Sequence, residues 1–173
     1  MTSAQKVLAN KVLANIVVAS NGMTTLNGSS RELSNSDDRT RFHALRANSS
    51  AIVIGGSTFR SEPYKNVALP LYVASHQKKP MNSTARFFAL SPSELVKLAA
   101  SEVKGAVLIE GGANFLKELI AHQKIDEIYI TRVQETGDGH LFDFEALTNQ
   151  YSLISMEENR GTRFELWTPR TRN

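Results

Sequence analysis

The chain has 173 residues, of which 41% are hydrophobic, and a formal net charge of +3. This length is typical of one domain that buries a core without disulfides or a structural metal. The lysines and arginines are scattered along the sequence, which disfavours a nucleic-acid partner and favours a small acidic molecule. The sequence contains no cysteine, which excludes disulfides, thiolate metal sites and cysteine nucleophiles.

Neither a metal centre nor a membrane span is predicted. The four histidines do not have the spacing of zinc ligands on a helix, so we expect no metal. The apolar runs are too short to cross a bilayer, and the first residues lack the pattern of a signal peptide. These features predict a cytoplasmic protein that binds neither nucleic acid nor membrane.

The first predicted feature in chain order is a short repeat. KVLAN occurs at residues 6–10 and again at 11–15. A single strand needs one copy, so the first copy is interpreted as a local duplication that is frayed or helical. The alternative is a strand extended for pairing with another subunit.

A buried strand, a loop and a helix are predicted next. Residues 12–19 are apolar at nearly every position, which is typical of a strand buried on both faces, and we place this strand at the centre of the sheet. Residues 20–35 are polar and predict a long loop. A helix is predicted over residues 36–47, where the Ser36 hydroxyl caps the first turn and two aspartates favour the helix dipole. This helix is expected to turn its apolar side chains, Phe42 and Leu45, inward.

Further strands and a well-capped helix follow. Residues 51–54 predict a second buried strand that runs into GGST, and residues 69–75 and 85–90 predict two more strands. A helix is predicted over residues 91–103, because the sequence SPSE supplies a serine cap, a proline at the first position and a glutamate that completes a capping box.

The C-terminal half continues the alternation and then turns to strands alone. A strand at residues 106–109 and a helix at 112–123 are followed by strands at 125–133, 151–158 and 162–168. The last two strands are joined by NRG, a short hairpin turn. The pattern predicts a single domain over residues 1–173 with a three-layer α/β/α fold, whose central sheet is mainly parallel with an antiparallel C-terminal hairpin.

Three predicted strands end in unusual residues: SNG at 20–22, GGST at 55–58 and EGG at 110–112. Ligands of such sheets bind at the carboxyl ends of the strands. Gly111 and Gly112 allow backbone to approach a ligand, and the following helix start attracts phosphate, although a tight turn explains the pair equally well. The fingerprints of the two common nucleotide folds are absent.

The segments VVASNGMTT, SNSDDRTRFHALRANSSAIVIGGST and VLIEGGANFLKELI resemble the reductase domain of the bifunctional riboflavin-biosynthesis deaminase-reductases. That family belongs to the dihydrofolate-reductase-like superfamily. The resemblance implies the superfamily fold, a homodimer, and a reductase that passes hydride from NADPH to 5-amino-6-(5-phosphoribosylamino)uracil, a small phosphorylated molecule. A chain without cysteine cannot supply the Cys-x-x-Cys zinc ligands of the deaminase half, so the resemblance implies a stand-alone reductase.

The resemblance also implies roles for individual residues. Glu110 matches the catalytic acid on the substrate side. The implied substrate-binding residues are Asn21, Ser34, Arg46 and Glu62. The implied cofactor-binding residues are Gly55, Gly56, Thr58, Ser75, Lys78, Gly111, Gly112, Asn114 and Phe115, with His76 and Lys79 beside them. Two alternatives remain open: Arg46 pairs with Asp37 or Asp38 or caps its own helix, and the basic loop around Lys78 is only solvated.

The sequence departs from the family in its substrate half. The family's first loop has Asp and Lys where this chain has Asn21 and Met23, and its later pair of acids is reduced to Glu62. The alternatives are a dihydrofolate reductase or another heterocycle reductase, and a nucleotide-binding protein without catalysis. A dihydrofolate reductase is disfavoured because the tryptophan-and-proline loop is missing and no acid sits clearly in the middle of the first helix to bind a pteridine.

Overall fold

The computed structural model describes residues 10–171. In this range the strands are β1 (Val12–Val18), β2 (Met23–Thr25), β3 (Ala51–Gly55), β4 (Leu71–Ala74), β5 (Arg86–Phe88), β6 (Val107–Ile109), β7 (Glu127–Arg132), β8 (Gly139–Leu141), β9 (Tyr151–Asn159) and β10 (Thr162–Pro169). The helices are α1 (Ser36–Ala47), α2 (Gly56–Ser61), α3 (Pro92–Glu102), α4 (Ala113–Ala121) and α5 (Phe144–Gln150).

Eight strands form one sheet in the order β5-β4-β3-β6-β1-β7-β10-β9. The apolar strand β1 lies at its centre and runs parallel to both β6 and β7. The strands β3, β4 and β5 continue the parallel part, whereas β10 pairs antiparallel with β7 and with β9. This order confirms the predicted central strand and the mainly parallel sheet with an antiparallel C-terminal hairpin.

Helices cover both faces of the sheet. On one face, α3, α4 and α5 enclose the largest apolar cluster, which includes the fully buried Leu95, Leu116 and Leu147. On the other face, α1 contributes Leu45 to a cluster with β1 and β6, and α2 contributes Phe59 to a cluster with β3 and β4. The predicted three-layer arrangement is therefore confirmed.

Local sequence determines where α3 begins and where the chain turns between β9 and β10. Ser91 accepts a hydrogen bond from the backbone N–H of Glu94, whose side chain accepts one from Ser91 in return, so α3 has the predicted capping box. Arg160 and Gly161 join β9 to β10 with φ values of 50° and 79°. Two consecutive left-handed residues are typical of a hairpin turn, as NRG predicts.

The sequence missed a small sheet and two short helices. The predicted loop at 20–35 contains β2, which pairs antiparallel with β8 through Met23 and Leu141. The GGST segment does not stay a loop but starts α2, and α5 was not predicted. Strands of three residues and helices of six or seven are too short for periodicity to reveal, and a pairing partner more than one hundred residues away is set by the tertiary fold.

The helix α1 begins and ends where predicted, but its cap is different. Asn35, not Ser36, is the N-cap, since its side chain accepts a hydrogen bond from the backbone N–H of Asp38. Leu45 packs inward as expected, whereas Phe42 borders a cavity. The only buried residue of α1 is Asp38, and a buried carboxylate needs polar partners.

The structure also bears on membrane spans and on the N-terminal repeat. Across residues 10–171, no helix is both long enough and apolar enough to span a lipid bilayer. Residues 12–15 of the second KVLAN copy form the first half of β1. The first copy lies outside the described residues except for Asn10, so both interpretations of the repeat also lie outside them.

Candidate functional site

A cavity of about 480 Å³ opens at the carboxyl edge of the parallel strands. Its walls are the segment after β6, the start of α2, the loop that follows β2 and the inner face of α1. Two of the three predicted strand ends, GGST and EGG, contribute to this cavity. The volume is in the range of small-molecule and cofactor sites.

Glu110 lies at the end of β6 and binds side chains from two other parts of the cavity wall. Its Oε1 accepts a hydrogen bond from Arg46 Nε at 2.6 Å, and its Oε2 accepts from Arg46 Nη2 at 2.7 Å. The Tyr64 hydroxyl donates to the same Oε2 at 2.9 Å. Since the Glu110 side chain is only 3% exposed, this bidentate pair joins α1, β6 and the segment after α2 in a largely dry environment.

Burial and the Glu110 charge act on the ionisation of both partners. Burial alone would lower the pKa of Arg46, but the hydrogen bonds and charge of Glu110 outweigh it and raise that pKa. Burial also raises the pKa of Tyr64 well above its ordinary value, and the negative charge of Glu110 raises it further. Arg46 therefore stays charged, and Tyr64 keeps the proton that it donates to Glu110.

Glu62 connects the two sides of the cavity opening. Its Oε2 accepts a hydrogen bond from Ser29 Oγ at 3.0 Å, and its Oε1 accepts from the Ser30 backbone N–H at 2.6 Å. The loop after β2 is thereby fastened to the end of α2. This contact holds residues 26–34 beside the cavity.

Asp38 is a buried acid that the sequence did not single out. The residue is 5% exposed, and its Oδ2 accepts a hydrogen bond from Ser34 Oγ at 2.5 Å. Its Oδ1 has no hydrogen-bond partner among residues 10–171, although both Asp38 and Ser34 line the cavity. A buried carboxylate oxygen without a partner is costly, so a ligand N–H or O–H is a suitable donor to it.

The inner face of α1 also carries basic side chains. Arg39, His43 and Arg46 line the cavity at spacings of three and four residues, with Phe42 between them. The Arg46 guanidinium lies over the Phe42 ring, 4.3 Å from its centre. Arg46 is neutralised by Glu110, whereas Arg39 and His43 have no acidic partner within the described part of the chain.

The glycines after β6 are explained in part by packing. A Cβ on Gly111 would lie 2.7 Å from the Phe115 ring, and one on Gly55 would lie 3.3 Å from it, so Phe115 occupies the space that side chains would need. Gly112 differs, because a Cβ there would meet only Thr58 Oγ1, at an ordinary 3.4 Å. The Gly112 N–H donates to that Thr58 hydroxyl at 3.2 Å, which ties the EGG turn to α2.

The start of α4 suits an anion. Gly112 is its N-cap, and as a glycine it has no side chain to cap the first turn. The first-turn residues Ala113 and Asn114 line the cavity. Helix starts of this kind bind phosphate through free backbone N–H groups, so the residues present fit a dinucleotide pyrophosphate.

The cavity gathers many but not all of the predicted site residues. Those that line it are Ser34, Arg46, Thr58, Glu62, Glu110, Gly111, Gly112, Asn114 and Phe115. Gly55, Gly56, Ser75 and Lys78 lie outside the cavity, at or beyond the ends of β3 and β4. Asn21 also lies outside, because its side chain binds both backbone groups of Gly137 and so joins two loops.

Several residues of the cavity were missed by the sequence. Asp38, Arg39, His43 and Tyr64 line it without having been predicted. The three on α1 share a helical phase with Arg46, and that spacing was a usable signal. Nothing in the sequence around Tyr64 indicates its contact with Glu110.

Comparison with known families identifies a match over most of the chain. Residues 11–133, more than half of the chain, match the RibD C-terminal domain family. No curated protein matches the sequence.

Solved structures share the fold at low identity. The dihydrofolate reductase from Enterococcus faecalis complexed with NADP(H) is 18% identical, with a TM-score of 0.71 over 94% of this chain and 98% of that one. A pyrimidine reductase-like protein from Corynebacterium diphtheriae is 16% identical, with a TM-score of 0.74 over 94% and 92% of the two chains. These likenesses confirm the dihydrofolate-reductase-like fold.

A third solved structure is longer than this chain. It is a diaminohydroxyphosphoribosylaminopyrimidine deaminase/5-amino-6-(5-phosphoribosylamino)uracil reductase from Thermotoga maritima, 12% identical, with a TM-score of 0.70. The match covers 92% of this chain but only 56% of that one.

Proposed function

Because this chain belongs to the RibD C-terminal domain family, we propose that its cavity is the active site of an NADPH-dependent reductase. The proposed substrate is 5-amino-6-(5-phosphoribosylamino)uracil, which appears in the name of the Thermotoga maritima protein, or a related phosphorylated heterocycle. The observation that carries the proposal is the meeting of Glu110, Asp38 and the uncapped start of α4 in one cavity.

The cofactor would lie along the ends of β6, β3 and β4. The first turn of α4 would hold the pyrophosphate, and Gly112 leaves space for it. Gly55, Gly56 and Thr58 would border the cofactor at α2, while Ser75 and Lys78 would face its 2′-phosphate. When bound, NADPH supplies the hydride; the protein has to hold the nicotinamide against an electrophilic carbon, and a proton from solvent completes the reduction.

Glu110 is the proposed catalytic residue on the substrate side, where its carboxylate accepts a hydrogen bond from the substrate. A carboxylate has about four acceptor positions, and Arg46 and Tyr64 together use three of them. One position therefore remains for a substrate N–H or O–H. Arg46 and Tyr64 fix the carboxylate in place. Because the pKa of Tyr64 is raised, its hydroxyl stays protonated and remains a hydrogen-bond donor to Glu110.

Different residues of α1 would hold the heterocycle and the phosphate of the substrate. Asp38 Oδ1 would accept an N–H of the heterocycle, since the atom is buried and has no donor from the described residues. Arg39 and His43 would bind the phosphate at the opening, because Arg46 already pairs with Glu110.

Asp38 also favours a second candidate. A buried acid beside the cavity can accept two N–H groups from an aminopyrimidine edge, which dihydrofolate carries. Dihydrofolate reductase activity is therefore a direct alternative, and binding of NADPH without turnover of either substrate would point to a nucleotide-binding protein.

The first experiment is a titration with NADPH and with NADH, followed by nicotinamide fluorescence. Micromolar affinity, which corresponds to about 8 kcal/mol, with a preference for NADPH supports the cofactor site. Turnover is then measured with the ribosylaminopyrimidine phosphate and with dihydrofolate. Glu110→Gln is expected to abolish turnover and keep NADPH affinity, and a variant with normal turnover refutes the catalytic role. If neither dinucleotide binds, the reductase proposal fails.

A second copy of the chain is proposed to pair at the sheet edge. β9 is one of the two edge strands of the large sheet, and its Leu153, Ile154 and Met156 are 44%, 58% and 50% exposed. An open edge with apolar side chains is a surface for another strand or sheet. Light scattering of the wild type is expected to give a dimer, and Ile154→Lys a monomer; a wild-type monomer refutes the proposal.

A further inference from the structure

A group of basic side chains surrounds the carboxyl end of β4, outside the cavity. His76, Lys78 and Lys79 follow the strand directly, and Arg60 approaches them from α2. The Arg60 guanidinium donates through Nη1 to Gln77 Oε1 at 3.2 Å. This hydrogen bond links α2 to the loop, a connection that the sequence did not predict.

The packing of α2 against β4 determines the position of Arg60. Its neighbour Phe59 meets the Phe87 ring edge-on, with ring centres 5.0 Å apart, and belongs to the apolar cluster that covers β3 and β4. The start of α2 lies so close to the end of β4 that a Cβ on Gly56 would come within 2.9 Å of Ser75 Oγ. The helix is therefore anchored against the strand end, and Arg60 follows one turn later.

The loop itself is also ordered by a local contact. The Gln77 backbone N–H donates to Ser75 Oγ at 3.1 Å, so the residue that holds Arg60 is tied to the serine at the strand end. Ser75, Gln77 and Arg60 form a connected chain of contacts. A ligand group that contacts Ser75 would therefore lie beside the residue that holds the guanidinium.

The charges in this group are unbalanced. Residues 75–90 contain no aspartate or glutamate. Arg46 and Arg86 each pair with a glutamate, whereas no ion pair within residues 10–171 involves Arg60, Lys78 or Lys79. Arg60 uses one N–H on Gln77, and its Nε and Nη2 form no hydrogen bond to the described residues. An open guanidinium fork is suited to two oxygens of a phosphate.

We infer that Arg60 is a specificity-determining residue that binds the 2′-phosphate of NADPH, with Gln77 holding its guanidinium in place. The inference rests on the proposed function and deepens it, because it adds a residue from α2 to a selectivity that the sequence assigned to the loop alone. NADH lacks this phosphate, so Arg60 should contribute to the binding of one dinucleotide and not the other.

The test compares affinities for NADPH and NADH by fluorescence titration, using wild type, Arg60→Ala, Arg60→Lys and Gln77→Ala. A charge-assisted contact to phosphate is worth about a tenfold change in affinity or more, so Arg60→Ala should weaken NADPH binding by about that factor and leave NADH unchanged. Arg60→Lys should keep part of the preference, because it retains the charge and loses the fork. Gln77→Ala should lose less than Arg60→Ala.

Adenosine fragments isolate the contact from the nicotinamide end. Competition by 2′,5′-ADP should weaken in Arg60→Ala, whereas competition by 5′-AMP should not. The matched control is Lys97→Ala, which removes one exposed positive charge from α3 and should change neither affinity. Thermal melting verifies that each variant is folded.

The outcomes separate the two proposals. An unchanged NADPH preference in Arg60→Ala, or an equal loss for both dinucleotides, overturns the inference and leaves the reductase proposal standing. Wild-type protein that binds neither dinucleotide overturns both. A selective loss of NADPH and of 2′,5′-ADP supports the inference.

Discussion

The ion pair between Arg46 and Glu110 gives a prediction about stability that can be worked from its geometry. Glu110 is 3% exposed and Arg46 24% exposed at the side chain, and two hydrogen bonds of 2.6 and 2.7 Å join them. Removing one partner of a buried pair costs about 3–5 kcal/mol. Because water reaches part of Arg46, we expect Glu110→Gln to cost about 3 kcal/mol, at the lower end of that range.

This cost is measurable by urea unfolding and by thermal melting. In a domain of this size, about 3 kcal/mol corresponds to a fall of about 6–12 °C in Tm. Arg46→Met should cost more than Glu110→Gln, because it leaves a carboxylate buried with Tyr64 as its remaining contact. The double variant Arg46→Met/Glu110→Gln should cost less than the sum of the single variants, since neither charge is then left unpaired.

The double-mutant cycle measures the coupling energy between Arg46 and Glu110. Additive costs, within about 0.5 kcal/mol, would mean that the two side chains do not stabilise each other and that the contact contributes nothing to the cavity wall. A coupling of about 2 kcal/mol or more would establish Arg46 as the residue that positions Glu110.

Three further predictions address other contacts. Gly111→Ala should cost about 1–3 kcal/mol in urea unfolding, because its Cβ would press on Phe115, and wild-type stability would contradict this packing. Glu62→Ala should release the loop after β2 and speed trypsin cleavage after Arg31, whereas Glu145→Ala, at an exposed acid on α5, should not; equal rates would refute the contact. Burial raises the pKa of Tyr151 to about 12, above the ordinary value of about 10, so its hydroxyl stabilises the fold below pH ~10 and this contribution is lost as the pH rises towards 12. Tyr151→Phe should flatten the decline of stability in that window, and an unchanged slope would argue against the shift.

The order and type of the long elements could be predicted because they depend on local properties. The apolar run of β1 predicts a strand buried on both faces wherever it pairs, and the capping box of Ser91 and Glu94 acts within four residues. Parallel strands separated by helices leave few topologies, and their carboxyl ends meet at one edge. For that reason the sequence also located the EGG turn and the GGST segment at one site.

The partners of individual side chains were decided by the tertiary structure alone. The pairing of Arg46 with Glu110 rather than with Asp37 or Asp38 joins residues 64 positions apart, and no local pattern encodes that distance. Likewise, Asn21 is turned to Gly137 and Glu62 to Ser29, so residues that look free in the sequence hold loops together.

The sequence by itself determined the layered fold, the mainly parallel sheet and the edge at which the cavity lies, because periodicity and capping are short-range. Only the tertiary structure decided that the Glu110 carboxylate is paired and that one oxygen of Asp38 has no hydrogen-bond partner among the described residues. Charge, burial and hydrogen-bond supply at Glu110 and Asp38 depend on neighbours from distant segments, and packing sets those neighbours after the strands have assembled.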